Sequence, residues 1–406
     1  MLNTSIWNFF FSLFLHIFLI THSLSPVSAG GKPVGFGAAV TGGGNARPVA
    51  PANIGELKAW LADHVPRVIL IDRVFDFADS EGNVTGPGCS IWPQCSNGAL
   101  TQVAIDFRGW CGQQKNARHL TVNYRKAAMT PLVIGSNKSL LGVGAKGVIR
   151  GKGVVINKPD RNVIIRNIHF TDMNPFAVWG GDSITLNGAT DVWIDHCTFS
   201  LIGRQMISTG GSFPNSGITI SNNHFVGKTP WSTDCLGQHY WTVILGGIGD
   251  QITLAENCYV STSGRSPKLG AVANTRVFSH SFNNYHDATL GQAVEVTRGG
   301  TLIVEGDVFD RTAPADPHQA FTETGGALFA PFTPQEAQAC QGALGRVCVP
   351  NLISRPPPGK APFKFDVNPA ALNAARVLPA VKTAHVQPAS AIASRKMSQC
   401  GIGKIS

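Results

Sequence analysis

The sequence predicts an all-β fold, a solenoid of the parallel β-helix type, on three observations. Short apolar runs recur at 162–170 (NVIIRNIHF), 192–199 (VWIDHCTF), 218–225 (ITISNNHF), 252–260 (ITLAENCYV), 277–285 (VFSHSFNNY) and 302–309 (LIVEGDVF). Each run carries a polar residue near the same place: Asn167, His196, Asn223, Asn257, Asn284 or Asp307. An aromatic residue follows within three positions, and the steps between polar positions are 29, 27, 34, 27 and 23. Periods of that size mark stacked repeats. Finally, the strands are only three to five residues long, too short for a sandwich of hairpins, and a single Asn-Gly pair (Asn187-Gly188) stands between the runs, so antiparallel hairpins are poorly supported. On a parallel coil each short strand pairs with its equivalent one coil later, and neighbouring coils supply the core that one coil cannot bury alone. The recurrent polar residues then read as a ladder at a bend, each amide bonding the next; unrelated surface turns are the plainer alternative.

Taken in order, residues 1–29 read as a signal peptide. The stretch 6–20 is almost wholly apolar but short for a membrane span, and Val27-Ser28-Ala29 supplies the small residues of a cleavage site. The charged start of such peptides is missing, and a signal anchor is the alternative. A secreted, extracellular chain follows, one in which disulfides can form. Residues 52–64 predict a helix, with Ile54, Leu57, Trp60 and Leu61 on one face and Pro66 ending it. It would cover the amino end of the solenoid. Residues 68–71 read as a strand, and 82–118 as a long loop-rich excursion. The domain assignment is thus 30–350 as one β-helix domain and 351–406 as a Pro/Ala-rich basic tail. Residues 370–382 could be helical. Phe363, Phe365, Leu378, Val381 and Ile392 favour a tail packed along the outside of the coil over a flexible extension.

Composition bounds the function. The net charge of +9 belongs mostly to the tail, which has eight Lys/Arg against one Asp. The body is near neutral, so neither a nucleic-acid partner nor a membrane is indicated. Nine cysteines leave at least one unpaired. The cluster Cys89, Cys95 and Cys111 could bind metal, but no CxxC pair or neighbouring His supports it.

The stretch 180–208 (GGDSITLNGATDVWIDHCTFSLIGRQMIS) holds Asp182, Asp195 and Arg204 among short strands, and 263–269 (SGRSPKL) adds Arg265 and Lys268. Stacking would bring these two stretches together, since adjacent strands lie ~5 Å apart. Three cations around one carboxylate would hold a carboxyl group or its ester and stabilise charge developing on it. The plainer alternative is a surface ion-pair network of little energy.

The motifs VWGGDSITL, VWIDH, IGRQ and TSGRSPK, in this order, resemble the pectin lyase branch of the pectate lyase superfamily (polysaccharide lyase family 1). The likeness extends from VGFGAAVTGGG (34–44) to EGDVF (305–309), and more weakly to AIASRKMSQCGIGK (391–404). The resemblance implies a right-handed parallel β-helix and β-elimination in α-1,4-linked, methyl-esterified galacturonan. It implies Arg265 as the base, Arg204 and Lys268 as cationic partners and Asp182 as the retained acid. It implies Trp92, Trp110, Trp179, Tyr240 and Trp241 as a substrate-binding aromatic cleft, although each Trp alone could be core. Trp193 and Trp231 stay unassigned. It also implies the disulfides Cys89–Cys111, Cys95–Cys235 and Cys340–Cys348, leaving Cys197, Cys258 and Cys400 unpaired.

No cofactor or metal is expected. Arg204 and Ser208 stand where calcium-binding relatives carry acids, and calcium wants ~6–8 oxygens. The cations beside Arg265, Lys268 and Arg204, are expected to lower its pKa. Met206 stands where a His is common, and Gln238 where a Tyr is familiar, which suggests a thinner cleft wall. The expected partner is methyl-esterified pectin, bound by a monomer. Sequons occur at Asn83 and Asn137, the second near the buried start of the coil. A calcium-dependent pectate lyase, a glycoside hydrolase on the same fold and a non-catalytic wall-binding solenoid are the competing readings.

Overall fold

The computed structural model describes residues 31–405 apart from Asn97, 271–273, 313–320, 358–365 and Lys396. The signal-peptide expectation, Phe363 and Phe365 therefore lie outside the described residues. Three sheets of ten, nine and eight strands run the length of the molecule, and every pairing within them is parallel. One coil illustrates the winding. Arg161–Arg166 lies in the ten-stranded sheet, His169–Met173 in the nine-stranded and Ile184–Asn187 in the eight-stranded; Thr190–Asp195 then returns to the first sheet, beside Arg161–Arg166. The chain is a parallel β-helix.

Inward side chains repeat from coil to coil, so like packs on like. Phe170, Phe199, Phe225, Tyr259, His286 and Phe309 form one continuous ring stack, with centroids 5.7, 5.2, 4.8, 4.7 and 4.5 Å apart. The aromatic residue after each polar position is thus a core element, except after Asn284, where His286 takes the place in the stack and Tyr285 packs beneath the tail.

The polar ladder exists, but two of its expected rungs are displaced. Asn223 donates through Nδ2 to Asn257 Oδ1 (3.0 Å), and Asn257 through Nδ2 to Asn284 Oδ1 (3.0 Å). The Asn284 amide N–H reaches Asp307 Oδ1 (2.7 Å), and that of Asp307 reaches Asn351 Oδ1 (2.9 Å). Asn167 and His196 stand one position earlier, in register with Asn222, Glu256, Asn283 and Gly306. All six adopt φ between 50° and 65°. Ladder and left-handed bend are adjacent columns, and the column in register with Asn223 holds Cys197 in the preceding coil, whose amide N–H donates to Asn223 Oδ1 (2.9 Å).

The amino end is covered by the helix Ile54–Ala62. Asn53 caps it by accepting from the Glu56 amide (3.0 Å), and Leu57 and Leu61 are fully buried in the end of the core. The excursion expected to be loop-rich is partly a four-stranded sheet instead. Asn83–Ser90 pairs antiparallel with Arg118–Arg125 and with Val103–Ile105, which meets Ala177–Val178. Gly86, Pro87 and Gly88 mask that strand in the sequence.

At the other end the coil runs past residue 350, because Leu352–Ser354 pairs with Val308–Asp310. The tail helices Pro369–Ala375, Pro379–Lys382 and Ala389–Arg395 pack on the outside through Leu372, Ala375, Val381 and Ile392. Three disulfides join the expected cysteines: Cys89–Cys111, Cys95–Cys235 and Cys340–Cys348. The expectation that Cys258 and Cys400 stay unpaired is corrected. They form a fourth bond, which ties the tail to the nine-stranded sheet; only Cys197 is free, and it is buried. Sequence separation hid this pair, since 142 residues of coil bring its ends together. Among the described residues no helix is long and apolar enough to cross a membrane.

Candidate active site

The eight-stranded sheet and the turns that lead into it carry the charged residues. Thr185, Ser208, Ile244, Lys268 and Glu295 are consecutive partners in parallel register, one per coil. Asp182, Arg204 and Arg265 stand in the turns just before their strands. Arg204 grips Asp182 with two hydrogen bonds, Nε to Oδ1 (2.8 Å) and a terminal nitrogen to Oδ2 (2.6 Å). The Gln205 amide (2.9 Å) and Ser208 Oγ (3.2 Å) donate to the same carboxylate. Arg204, Asp182 and Ser208 are therefore one bonded unit.

Lys268 does not share that carboxylate. Its Nζ is hydrogen-bonded to Glu295, whose other oxygen is buried without a partner among the described residues. The expectation of three cations around one acid is corrected to three cations and two acids. Glu295 escaped the sequence reading because it stands 27 residues beyond Lys268, outside any motif; the repeat length was the signal that could have found it.

Arg265 adopts φ 51° within the SGRSPK turn, and its carbonyl accepts the Val243 amide (2.7 Å) of the preceding coil. Gly264 lets this turn lie against Tyr240, since a Cβ there would sit 2.4 Å from the ring. The Arg265 guanidinium rests over Trp241 (4.5 Å to the centroid) and Tyr240 (5.4 Å), as Arg204 rests over Trp179 (4.1 Å). Such contacts favour the cation where water is excluded. Even so, the Arg265 guanidinium is held below its ordinary pKa, first by burial and further by the charge of Arg204. Tyr240 and Glu295 oppose this and are outweighed. The main cause is thus desolvation rather than the neighbouring cations.

The five expected aromatics meet in one band. From Phe107 it runs through Trp179 (5.3 Å), Trp110 (6.1 Å), Trp92 (6.5 Å) and Trp241 (6.3 Å) to Tyr240 (5.0 Å). A cavity of about 540 Å³ opens over Trp92, Trp110, Tyr240, Trp241, Arg265 and Gln292. The disulfides Cys89–Cys111 and Cys95–Cys235 brace the loop that carries Trp92 and Trp110. Two supporting residues were not foreseen. Gln102, buried, accepts from Trp241 Nε1 (3.0 Å) and donates to two backbone carbonyls. His239 Nε2 hydrogen-bonds the carbonyls of Arg204 (2.9 Å) and Trp241 (3.0 Å), and burial pushes its pKa down to about 4, so it acts as a neutral brace. Gln238 is no thin cleft wall: it is buried and ties the Ala288 carbonyl (2.9 Å) and the Leu290 amide (3.3 Å). Met206 is core.

The residues do not fit a calcium ion. Asp182 has both oxygens committed to Arg204, Gln205 and Ser208, and among the described residues no three His, Cys, Asp or Glu converge.

The pectate lyase family model matches residues 96–326. The probable pectin lyase F-2 of Aspergillus terreus is 46% identical over 326 residues, 80% of this chain; the chain spans 65% of that relative's length. The probable pectin lyase E of Aspergillus fumigatus is 39% identical over 403 residues, 96% of this chain and 99% of the relative. Among solved structures, a mutant of Bacillus subtilis pectate lyase matches with a TM-score of 0.59 at 18% identity, over 93% of this chain and 98% of the other. A pectate lyase bound to a hexasaccharide gives 0.58 at the same identity and coverage. Those two likenesses bear on the fold alone. The chain belongs to the pectate lyase family, beside relatives named as pectin lyases, and is a polysaccharide lyase.

Proposed function

We propose that Arg265 is the base of this enzyme's eliminative cleavage of pectin, and that the substrate is the methyl-esterified polymer. Neutral Arg265 takes the proton from carbon 5 of a galacturonate unit. That carbon–hydrogen electron pair becomes the carbon 4–carbon 5 double bond, and the glycosidic oxygen leaves carbon 4 and gains a proton. Negative charge builds on the ester carbonyl next to carbon 5. Arg204, two coils before Arg265, and Lys268, three residues after it on the same coil, stabilise it, and Asp182 holds the Arg204 fork in position. An arginine base is chemically demanding, because a free guanidinium loses its proton only above pH ~12. The burial that holds Arg265 below that value is the single observation that supports this reading most.

The aromatic band accounts for a neutral ester substrate. It offers flat apolar surface to sugar rings, with cations leaning on it. Asp182 is occupied by Arg204, which carries the positive charge that a metal would otherwise supply, so we infer activity without calcium. We further infer a secreted monomer, on the signal-like residues 1–29 and the disulfides.

The test is incubation with highly methylated pectin, following the ultraviolet absorbance of the new double bond, with and without a chelator. Wild type is expected to be active in both, and more active as esterification rises; Arg265→Ala is expected to be inactive. An equally active Arg265→Ala would overturn the assignment of the base. Loss of activity with chelator would restore the calcium reading.

A further inference from the structure

The VWIDH motif takes no part in the cleft. Its Trp193, Asp195 and His196 side chains point out from the ten-stranded sheet, onto a separate cavity of about 530 Å³, while Val192 and Ile194 point into the core. That cavity is closed over by residues 31–38 on one side and 380–387 on the other, and its volume is in the range of ligand sites. Its floor is a built network. Asp195, fully buried, accepts from Arg166 Nε (2.7 Å), His196 Nδ1 (2.6 Å), Ser221 Oγ (2.7 Å) and Asn222 Nδ2 (3.1 Å). Trp193 Nε1 donates to Ser221 Oγ (2.9 Å). Asp195 therefore has no acceptor capacity left.

Arg166 does have capacity left. It is 5% exposed, pinned at Nε by Asp195 and seated over the Trp193 ring at 4.9 Å. Its two terminal nitrogens have no hydrogen-bond partner among the described residues. Gly31, which lines the cavity, lies against one of them. A fixed, nearly dry guanidinium fork with free donors matches a planar carboxylate. Lys32 at the rim adds a second cation, whereas Glu256, the other acid on the wall, is already paired with Arg395 (3.0 Å). Asn222, Thr383 and Gln387 add groups able to bond hydroxyls.

We propose that this cavity is a second, non-catalytic binding site for the free carboxylate of a uronate sugar, an un-esterified galacturonate unit of the polymer. The uronate identity rests on the reading of the enzyme as acting on galacturonan; the carboxylate rests on Arg166 alone. The cleft handles the ester and this site the acid, so the enzyme would be tethered to pectin of mixed esterification.

The experiment is calorimetric titration of the full chain with galacturonate, its methyl ester and acetate. Two variants are compared with wild type. Ala384→Trp fills the cavity without touching the network, and Arg166→Lys keeps the charge but removes the fork. Galacturonate is expected to bind, to lose at least about tenfold in affinity in both variants, and to be matched by neither ester nor acetate. Cleavage of highly methylated pectin is expected to stay at the wild-type level in Ala384→Trp. Unchanged galacturonate binding in Ala384→Trp, or equal binding of the methyl ester, would overturn the site. Acetate binding as tightly as galacturonate would overturn its uronate selectivity. Arg265→Ala is expected to bind galacturonate normally, so failure of the elimination mechanism and failure of this site are read separately.

Discussion

The ladder inside the coil and the cleft on its outside are built from the same backbone, yet they treat buried polar atoms in opposite ways. In the ladder each amide meets an equivalent group one coil away, from Asn223 through Asn257 and Asn284 to Asp307. Each Asn also donates to a backbone carbonyl, as Asn257 does to Ile220 (2.9 Å). In the cleft, successive coils offer unlike groups, and Arg265 Nε, Glu295 Oε2 and Trp179 Nε1 stay buried without partners among the described residues. An unpaired buried polar group costs ~1–3 kcal/mol. The satisfied column serves stability. The unsatisfied one holds open donors and a depressed arginine, which a reaction can use.

The largest effect separating the two regions should come from Arg265. Replacing it by Ala is expected to lower kcat by about 10²–10⁴-fold, the usual contribution of a general base. Thermal unfolding should move little, because an unpartnered group is removed rather than created. The pH profile sharpens the point. Only neutral Arg265 can accept a proton, so the rate should fall as pH drops and rise toward alkaline values. Glu295 holds the Arg265 pKa up, so Glu295→Gln should move the rising limb to lower pH; an unmoved limb would separate that residue from the base.

Next in size is Arg204. Its replacement by Ala should cost about 10²–10³-fold in kcat, as for loss of one donor at a developing oxyanion. Added calcium should not restore activity, because Asp182 would remain the sole carboxylate there. Recovery by calcium would mean that the cation stands in for a metal only by occupancy.

The two regions were unequally legible in the sequence. The fold was legible because like residues repeat: the apolar runs and the aromatic residue after each bend recur coil by coil. Asn167 and His196 read as ladder residues because later coils carry a polar bend residue next to a polar ladder residue (Asn222 and Asn223, Asn283 and Asn284), whereas in their own coils the ladder column holds Ile168 and Cys197; spacing alone cannot tell φ 59° from an inward side chain. The cleft was legible only where motifs named it. Glu295, Gln102 and His239 act through contacts that come from other coils, and the Cys258–Cys400 bond depends on where the tail lies against the coil.

A third buried acid tests whether full pairing means stability alone. Glu305 is fully buried; burial by itself would raise its pKa, but hydrogen bonds from Arg346 and His280 outweigh that and hold it at about 2. Its folded pKa is depressed, so its stabilisation is fully present above the ordinary glutamate range and is lost as pH falls from there toward about 2. Acid titration of wild type followed by circular dichroism should show this loss, roughly 3 kcal/mol. Glu305→Gln should flatten that pH dependence while leaving kcat intact.

Asn257→Ala breaks the ladder from within. Asn223 loses the acceptor shared by its backbone N–H and Nδ2, Asn284 Oδ1 keeps only the Asn257 backbone N–H, and the Ile220 carbonyl loses a donor. A destabilisation of about 1–3 kcal/mol is expected, seen as a lower Tm. Below that temperature kcat and KM should match wild type. A fall in kcat with unchanged Tm would dissolve the distinction between the two regions.

The smallest effect concerns the aromatic band itself. Trp110 makes ring contacts with Trp92 and Trp179; the cleft arginines Arg204 and Arg265 rest instead on Trp179, Tyr240 and Trp241. Trp110→Ala should therefore weaken substrate binding and spare the chemical step. The expected rise in KM is roughly 2–10-fold, the equivalent of an aromatic contact worth ~0.5–1.5 kcal/mol, with kcat nearly unchanged. Cys89–Cys111 holds the loop on either side of Trp92, so local collapse should be small. A drop in kcat equal to the rise in KM would mean that the band also orients the bond to be broken, and the line between binding surface and reacting groups would then run through Trp179 rather than beside it.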